Sequence, residues 1–258
     1  MDILNFNQAE LETFLYVLIR VGMIIIFSPV LGSAAIPVKM RVGFILFIAI
    51  VIFPVVKSQP MPHSRGMFEL ISYVFLEAMI GFTIAYAARL IFTIVQLSGT
   101  LIDFQIGFGV VNVIDPQTSS QVSITAQVQN ILAIFIFLSL NAHHYTIQAI
   151  VESFFIINPQ KAVFSSFTME FVLQLITGTF VTAIKLAAPL IAILFFLSVG
   201  LGLVARTVPQ MNVFIIGFPL QIAAGLTMLA LTMSVFSLAV QHQILTLPAS
   251  FMGIMRSM

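Results

Sequence analysis

"GLVARTVPQMNVFIIGFP", residues 202–219, interrupts two of the most apolar stretches of the chain with one arginine, two prolines and the amides of Gln210 and Asn212. Pro209 has no amide proton and biases Val208 away from helical geometry, so the segment reads as a turn between two apolar helices. Irregular backbone at membrane depth survives only where protein buries it or where it lines a wet cavity. The stretch is therefore a candidate working part, and its flanks decide the fold.

The flanks are membrane-class. Of 258 residues, 60% are hydrophobic and 7% charged, where an ordinary soluble domain carries about 25% charged residues. Trp is absent, so an aromatic belt at the lipid interface has only 4 Tyr and 26 Phe to draw on. A net charge of +1 provides no basic surface for nucleic acid. With 0 Cys, disulfides, cysteine zinc sites and thiol catalysis are excluded. The opening "MDILNFNQAELETF" has Asp2, Glu10 and Glu12 but no Lys or Arg, so it lacks the basic start of a signal peptide and is expected to be retained.

Six regions approach the about 20 apolar residues of a spanning helix: 13–34, 42–56, 70–102, 128–150, 171–204 and 213–240. The expected fold class is all-α, with about six long, partly bent apolar helices arranged as hairpins. Their lengths fit a flat bilayer poorly. The second contains Pro54 and is short, between Arg41 and Lys57, while the third and fifth exceed what a bilayer requires. A six-pass weave puts Lys39, Arg41 and Arg206 on one side and Lys57, Arg65, Lys161 and Arg256 on the other, so loop charges give no orientation. Neighbouring subunits, rather than lipid, are expected to cover much of the apolar surface.

Polar side chains inside apolar helices are expensive in lipid, so each needs a reason. Arg89, Thr93, Gln96, Thr100 and Asp103 recur at spacings of four and three, which places them on one stripe of a helix. The stripe reads either as a satisfied seam inside a bundle or as a pore-facing line. Glu77 lies on another face beside Gly81, Ala85 and Ala88, whose small side chains admit a neighbouring helix. It reads as a buried structural carboxylate or as a proton-relay acid, with Arg20 and Lys185 as the other intramembrane charges.

His143 and His144 are adjacent, and neighbouring helical positions point apart. Without an HExxH arrangement or any Cys they read as structural or interfacial, with no metal and no cofactor expected. No GxSxG elbow, phosphate loop or acid pair with a partner base is present either, so enzyme activity is not expected. "GFGVVNVIDPQ" (107–117) and "GLGLVARTVPQ" (200–210) align without a gap, sharing Gly, Gly, Val, Pro and Gln. Their glycines and prolines predict that both segments leave helical geometry. Interrupted helices with an internal repeat are also what a secondary transporter shows, and that is the alternative reading.

"FSPVLGSAAIPVKMR" (27–41), "DPQTSS" (115–120), "FLSLNAHHYTIQAIVESF" (137–154) and "KLAAPLIAILFFLSVGLGLVARTVPQMNVFIIGFPLQ" (185–221) together resemble the FliR family of flagellar biosynthesis proteins and its type III secretion counterparts. Their order and spacing hold from near residue 10 to about 240. Ala142 departs from the Gly expected before the histidines, which touches helix packing at that point. The resemblance implies a subunit of the flagellar type III secretion export gate, built to pack in a helical hetero-oligomer at the basal body in the bacterial inner membrane. Its implied partners are FliP and FliQ, with FlhB, FlhA, unfolded export substrates and membrane lipid. It further implies a FliP-like part at 1–165 and a FliQ-like hairpin at 166–258.

Carried onto this chain, residues 105–121 match the family's plug loop. Gly107 and Gly109 would give it mobility, Phe108, Val110, Val111 and Ile114 an apolar seal, and Asn112, Asp115 and Pro116 a shaped turn. The turn at Arg206, Pro209, Gln210, Met211 and Asn212 matches the cytoplasmic entrance, where FlhB docks. Glu77, Arg89, Gln96, Asp103 and Lys185 remain candidates for buried polar or pore-facing roles.

Overall fold

The structure is a computed structural model and describes residues 7–59, 61–108, 123–159, 162, 165–208 and 213–258. Among them are eight helices and no strand. They are α1 (Gln8–Phe27), α2 (Val38–Val56), α3 (Met67–Ile106), α4 (Ile124–Ser139), α5 (Ala142–Ile156), α6 (Ser166–Thr207), α7 (Val213–Leu245) and α8 (Leu247–Ser257).

The all-α membrane-class reading holds, and helix ends follow local chemistry. α1 stops at Phe27, short of the expected residue 34, because Ser28 precedes Pro29 and adopts extended geometry (ψ 136°). α6 continues through Gly200 and Gly202 and ends at Thr207, so the segment 200–210 leaves helical geometry only after its glycines, at Val208. A Cβ on either glycine would meet nothing within 4 Å, and the first backbone obstacle is Pro209. The expected single helix over 128–150 is two, α4 and α5, bent by 66°. Asn141 sits at the break in left-handed geometry (φ 52°, ψ 30°), the conformation that Asn tolerates best after Gly.

At 40 and 42 residues, α3 and α6 are each about 60 Å long at 1.5 Å per residue, twice the about 30 Å hydrocarbon core. Among the described residues, four helices are long and apolar enough to cross a membrane: Val38–Val56, Met67–Ile106, Ser166–Thr207 and Ile215–Ser257, where α7 continues through α8. The bent pair α4 and α5 makes a fifth if counted as one span. Within the chain, 61% of the most apolar window of Met67–Ile106 is buried, against 11% of that of Ile215–Ser257. The last helices therefore leave their apolar faces to be covered from outside the chain.

The chain forms two compact units. The first comprises residues 1–90, 141–176 and 245–258. Here α1 packs on α2 and α5, and α5 on α8, around Tyr16, Val21, Ile24, Ala49, Ile150 and Phe251. Phe14 meets Phe53 edge-on at 5.5 Å, and Phe27 meets Phe82 at 4.9 Å. A Cβ on Gly81 would lie 2.8 Å from the Arg20 carbonyl oxygen, which explains the small residues beside Glu77. Glu12 accepts from the Ser64 amide at 2.9 Å and its hydroxyl at 2.8 Å, fastening the segment before α3 to α1.

The second unit comprises residues 91–140 and 177–244. Its core is Ile102, Ile106, Ala187, Leu190 and Leu194, with Phe108, Ile222 and Met228 packed against them. Gln221 donates to the Ser198 hydroxyl at 2.7 Å, a polar tie between α6 and α7.

Candidate functional site

In the second unit, α3 and α4 form an antiparallel hairpin whose contacts step in opposite directions along the two helices. Phe92 faces Phe137 with ring centroids 5.7 Å apart, Ser98 donates to Gln129 Oε1 at 3.3 Å, and Gly99 abuts Ala126. Where the connection to α4 begins, α3 stops at Gly107, whose φ of 101° lies in the region that favours glycine. The Gly107 and Phe108 amides both donate to the Asp103 carbonyl at 3.1 Å. The Asp103 carboxylate, 5% exposed, accepts from the Thr125 amide at 3.2 Å, and Ser123 Oγ accepts from Ala126 N at 3.0 Å.

One residue therefore holds both ends of the segment between α3 and α4. Its carbonyl ends one helix and its carboxylate satisfies a free amide at the start of the next. Phe108, at the first bend of that segment, is half-buried against the core cluster. Asp103→Ala is expected to weaken the start of α4 by about 1 kcal/mol, the usual loss when such an amide acceptor is removed. Faster hydrogen exchange at the Thr125 amide, with α3 unchanged, is the measurement that checks it.

In the first unit, Glu77 and Arg20 form an ion pair in which both side chains are fully buried. Arg20 Nη2 donates to Glu77 Oε1 at 3.0 Å, and Nε donates to Oε2. Nη1 donates to the Ser153 carbonyl at 2.8 Å, and the guanidinium lies 4.1 Å over the Phe154 ring. Planar, forked and paired on two sides, this arginine joins α1, α3 and α5.

Residues 11–247 match the family described as Bacterial export proteins, family 1. The chain belongs to this family. It is similar to the Flagellar biosynthetic protein FliR of Bacillus subtilis (strain 168), at 36% identity over 233 residues, 89% of each chain. To the Flagellar biosynthetic protein FliR of Escherichia coli (strain K12) it is 26% identical over 234 residues, 90% of this chain and 88% of that one. To the Yop proteins translocation protein T of Yersinia pestis it is 27% identical over 246 residues, 93% of each. With its apolar helices, this bacterial export family member is a membrane protein.

The residues singled out in the sequence separate into three groups in this export family member. Glu77 and Asp103 are buried and bonded. Arg89, Thr93 and Gln96 are exposed, Thr100 is half-buried, and Lys185 is exposed beside a cavity of about 190 Å³ that Gln129, Leu190 and Thr232 also line. Arg206 is exposed in the last turn of α6. Of the proposed plug, Gly107 and Phe108 are described, whereas Gly109, Val110, Val111, Asn112, Ile114, Asp115 and Pro116 lie outside the described residues. The same holds for Pro209, Gln210, Met211 and Asn212. The rings of His143 and His144 meet at 4.3 Å, against the expectation from adjacent helical spacing. Among the described residues, no group of three or more metal-ligating side chains comes together.

Sequence reading missed Ser153 and Phe154 as partners of Arg20, and Gly99 as the contact point of α3 with α4. A Cβ on Gly99 would lie 2.3 Å from the Ala126 Cα. The signal for it was present, since Gly99 stands between Ser98 and Thr100 in a small-residue run inside an apolar helix.

Proposed function

We propose that this chain is a core subunit of the flagellar type III secretion export gate, which helps form and close the channel that passes unfolded proteins across the bacterial inner membrane. The observation that carries the reading is the match of residues 11–247 to a bacterial export family, together with relatives named Flagellar biosynthetic protein FliR. The uncovered apolar faces of α6 and α7 support it, since such surfaces mark lipid or protein contact. In this reading the chain assembles with FliP and FliQ at the basal body, and FlhB docks near the 206–212 turn. FlhA and unfolded substrates engage the assembled gate. Residues 1–165 correspond to a FliP-like part and 166–258 to a FliQ-like hairpin. The chain itself performs no chemistry, and energy comes from partners.

Residues 105–121 act as the plug. A hydrophobic constriction excludes ions by dewetting, and a loop closed by Phe108, Val110, Val111 and Ile114 has the required character. Replacing Gly107–Val111 with a Gly/Ser linker is expected to leave assembly intact and raise resting ion leak in membrane vesicles. Normal leak together with normal export removes the plug assignment.

Native mass spectrometry of the complex tests the function itself, with this chain alone tagged and its FliP and FliQ neighbours co-expressed. One copy among several of each partner is expected. A stable homo-oligomer lacking both overturns the reading.

A further inference from the structure

In the second unit α6 and α7 run antiparallel. Gln221 bonds to Ser198, and a cavity of about 190 Å³ is lined by Lys185, Pro189 and Leu190 from α6 and by Leu229, Thr232 and Phe236 from α7. Lys185 stands near the middle of the 42-residue α6 and makes no hydrogen bond or ion pair to any described residue. Toward the 206–212 turn the next charge is Arg206, and the 20 residues between them, 186–205, carry none. At 1.5 Å per residue they extend about 30 Å, the thickness of the hydrocarbon core. Every exposed position in this interval is apolar, among them Ile193, Phe195, Phe196 and Leu203. On α7 the exposed positions from Ile215 to Leu231 are apolar too, apart from Thr227, whose hydroxyl donates to the Ala223 carbonyl at 2.7 Å. Past the cavity the surface becomes mixed. Glu170 and Gln174 are exposed on α6 amino-terminal to Lys185, as are Ser234 and His242 on α7.

We propose that the interval between Lys185 and Arg206 is a lipid-facing belt one bilayer thick, and that the Lys185 ammonium binds the phosphate of an anionic phospholipid at its rim. This goes beyond the export-gate reading and requires only that the chain is a membrane protein. A lysine at the centre of a span is costly, whereas one at the rim meets phosphate and water. Its four-carbon stem can lie along apolar surface, here the cavity lining, while the ammonium stays wet. Gln129 lines the same cavity, and its Oε1 already accepts from Ser98, so its amide protons are the groups left to donate to a lipid oxygen seated there. A carboxylate on a partner helix would also neutralise Lys185, but it could stand at any height on an apolar face. Lys185 instead stands where the uniformly apolar surface ends, with a second cation one hydrocarbon thickness away. A headgroup layer on each side of a bilayer accounts for both positions.

Two measurements test the belt and its lipid contact separately. The full-length chain, isolated from membranes with the subunits it retains, is reconstituted into phosphatidylglycerol vesicles. The chain has 0 native cysteines, so once any in co-purified subunits are replaced, Lys185→Cys, Phe196→Cys and Thr207→Cys each carry a single spin label. Collision with oxygen and with a water-soluble nickel complex then reports depth. Position 196 is expected to be the most accessible to oxygen, and positions 185 and 207 to nickel. A label at 196 shielded from oxygen, or one at 185 as deep as 196, overturns the belt. In the second measurement the unlabelled assembly is titrated with phosphatidylglycerol and followed by native mass spectrometry. Lys185→Gln is expected to weaken the most tightly held lipid about five-fold, the effect of one cation at an anionic surface, and Lys185→Arg to retain it. Unchanged binding in Lys185→Gln, or an equal loss for phosphatidylcholine, overturns the phosphate contact. So does a carbodiimide cross-link joining Lys185 to a carboxylate of a neighbouring subunit.

Discussion

Glu77→Ala is expected to abolish accumulation of the folded protein in membranes. The substitution leaves the Arg20 guanidinium fully buried with its carboxylate gone, keeping the Ser153 carbonyl and hydroxyl and the Phe154 ring. Breaking a buried pair from one side destabilises by about 3–5 kcal/mol, a large part of the about 5–15 kcal/mol that holds a typical domain folded. The paired variant Arg20→Met with Glu77→Leu is the informative partner. It removes both charges and refills the space with apolar volume, which is commonly neutral or stabilising. The Ser153 carbonyl does not become an orphan, because it also accepts from Ile157 N at 3.0 Å. Limited proteolysis of solubilised protein should show rapid digestion of the single variant and near-normal resistance of the pair. If the pair fails as badly as the single variant, the guanidinium has a role beyond neutralising Glu77, and the proton-relay reading regains ground.

Gly99→Val is the second large effect. The obstacle at this position is backbone, 2.3 Å from the Ala126 Cα and 2.6 Å from its nitrogen, so no rotamer change relieves the clash. α3 and α4 must separate, which disturbs the Ser98–Gln129 bond and the Asp103–Thr125 bond on either side of the contact. Overpacking of this kind costs about 1–3 kcal/mol, and the upper end is expected here. Gly43→Ala is the matched control, since a Cβ there meets nothing within 4 Å. It is expected to be neutral or to gain up to about 1 kcal/mol from helix propensity. Thermal unfolding of the two purified proteins in the same detergent separates the outcomes.

Hydropathy is a one-dimensional property, and what depends on it alone was legible. The apolar runs at 70–102 and 171–204 announced α3 and α6, which the structure extends to Met67–Ile106 and Ser166–Thr207. The break at Asn141 was not legible from the apolar run over 128–150, because a left-handed residue changes direction without changing hydropathy. α8 was overlooked for the opposite reason. Its apolar positions Leu247, Phe251, Ile254 and Met255 form a buried face on an 11-residue helix, too short to span a bilayer by itself.

The candidate site was half legible. The spacing from Arg89 to Asp103 located one helical stripe, yet the stripe divides: its upper members are exposed while Asp103 is buried and reaches Thr125, 22 residues later. Arg20 and Glu77 were each noticed as misplaced charges, but a pairing across 57 residues carries no local signature.

That separation has a consequence for how the protein is made. Bacterial synthesis at about 5–20 residues per second brings Glu77 out roughly 3–11 s after Arg20. During that interval the Arg20 guanidinium has no carboxylate partner, and α1 is not among the helices long and apolar enough to cross a membrane. The first helix therefore lacks its buried counter-ion until the third is delivered. The charge pair is thus expected to delay final packing of the amino-terminal helix until the segment that neutralises it has left the ribosome.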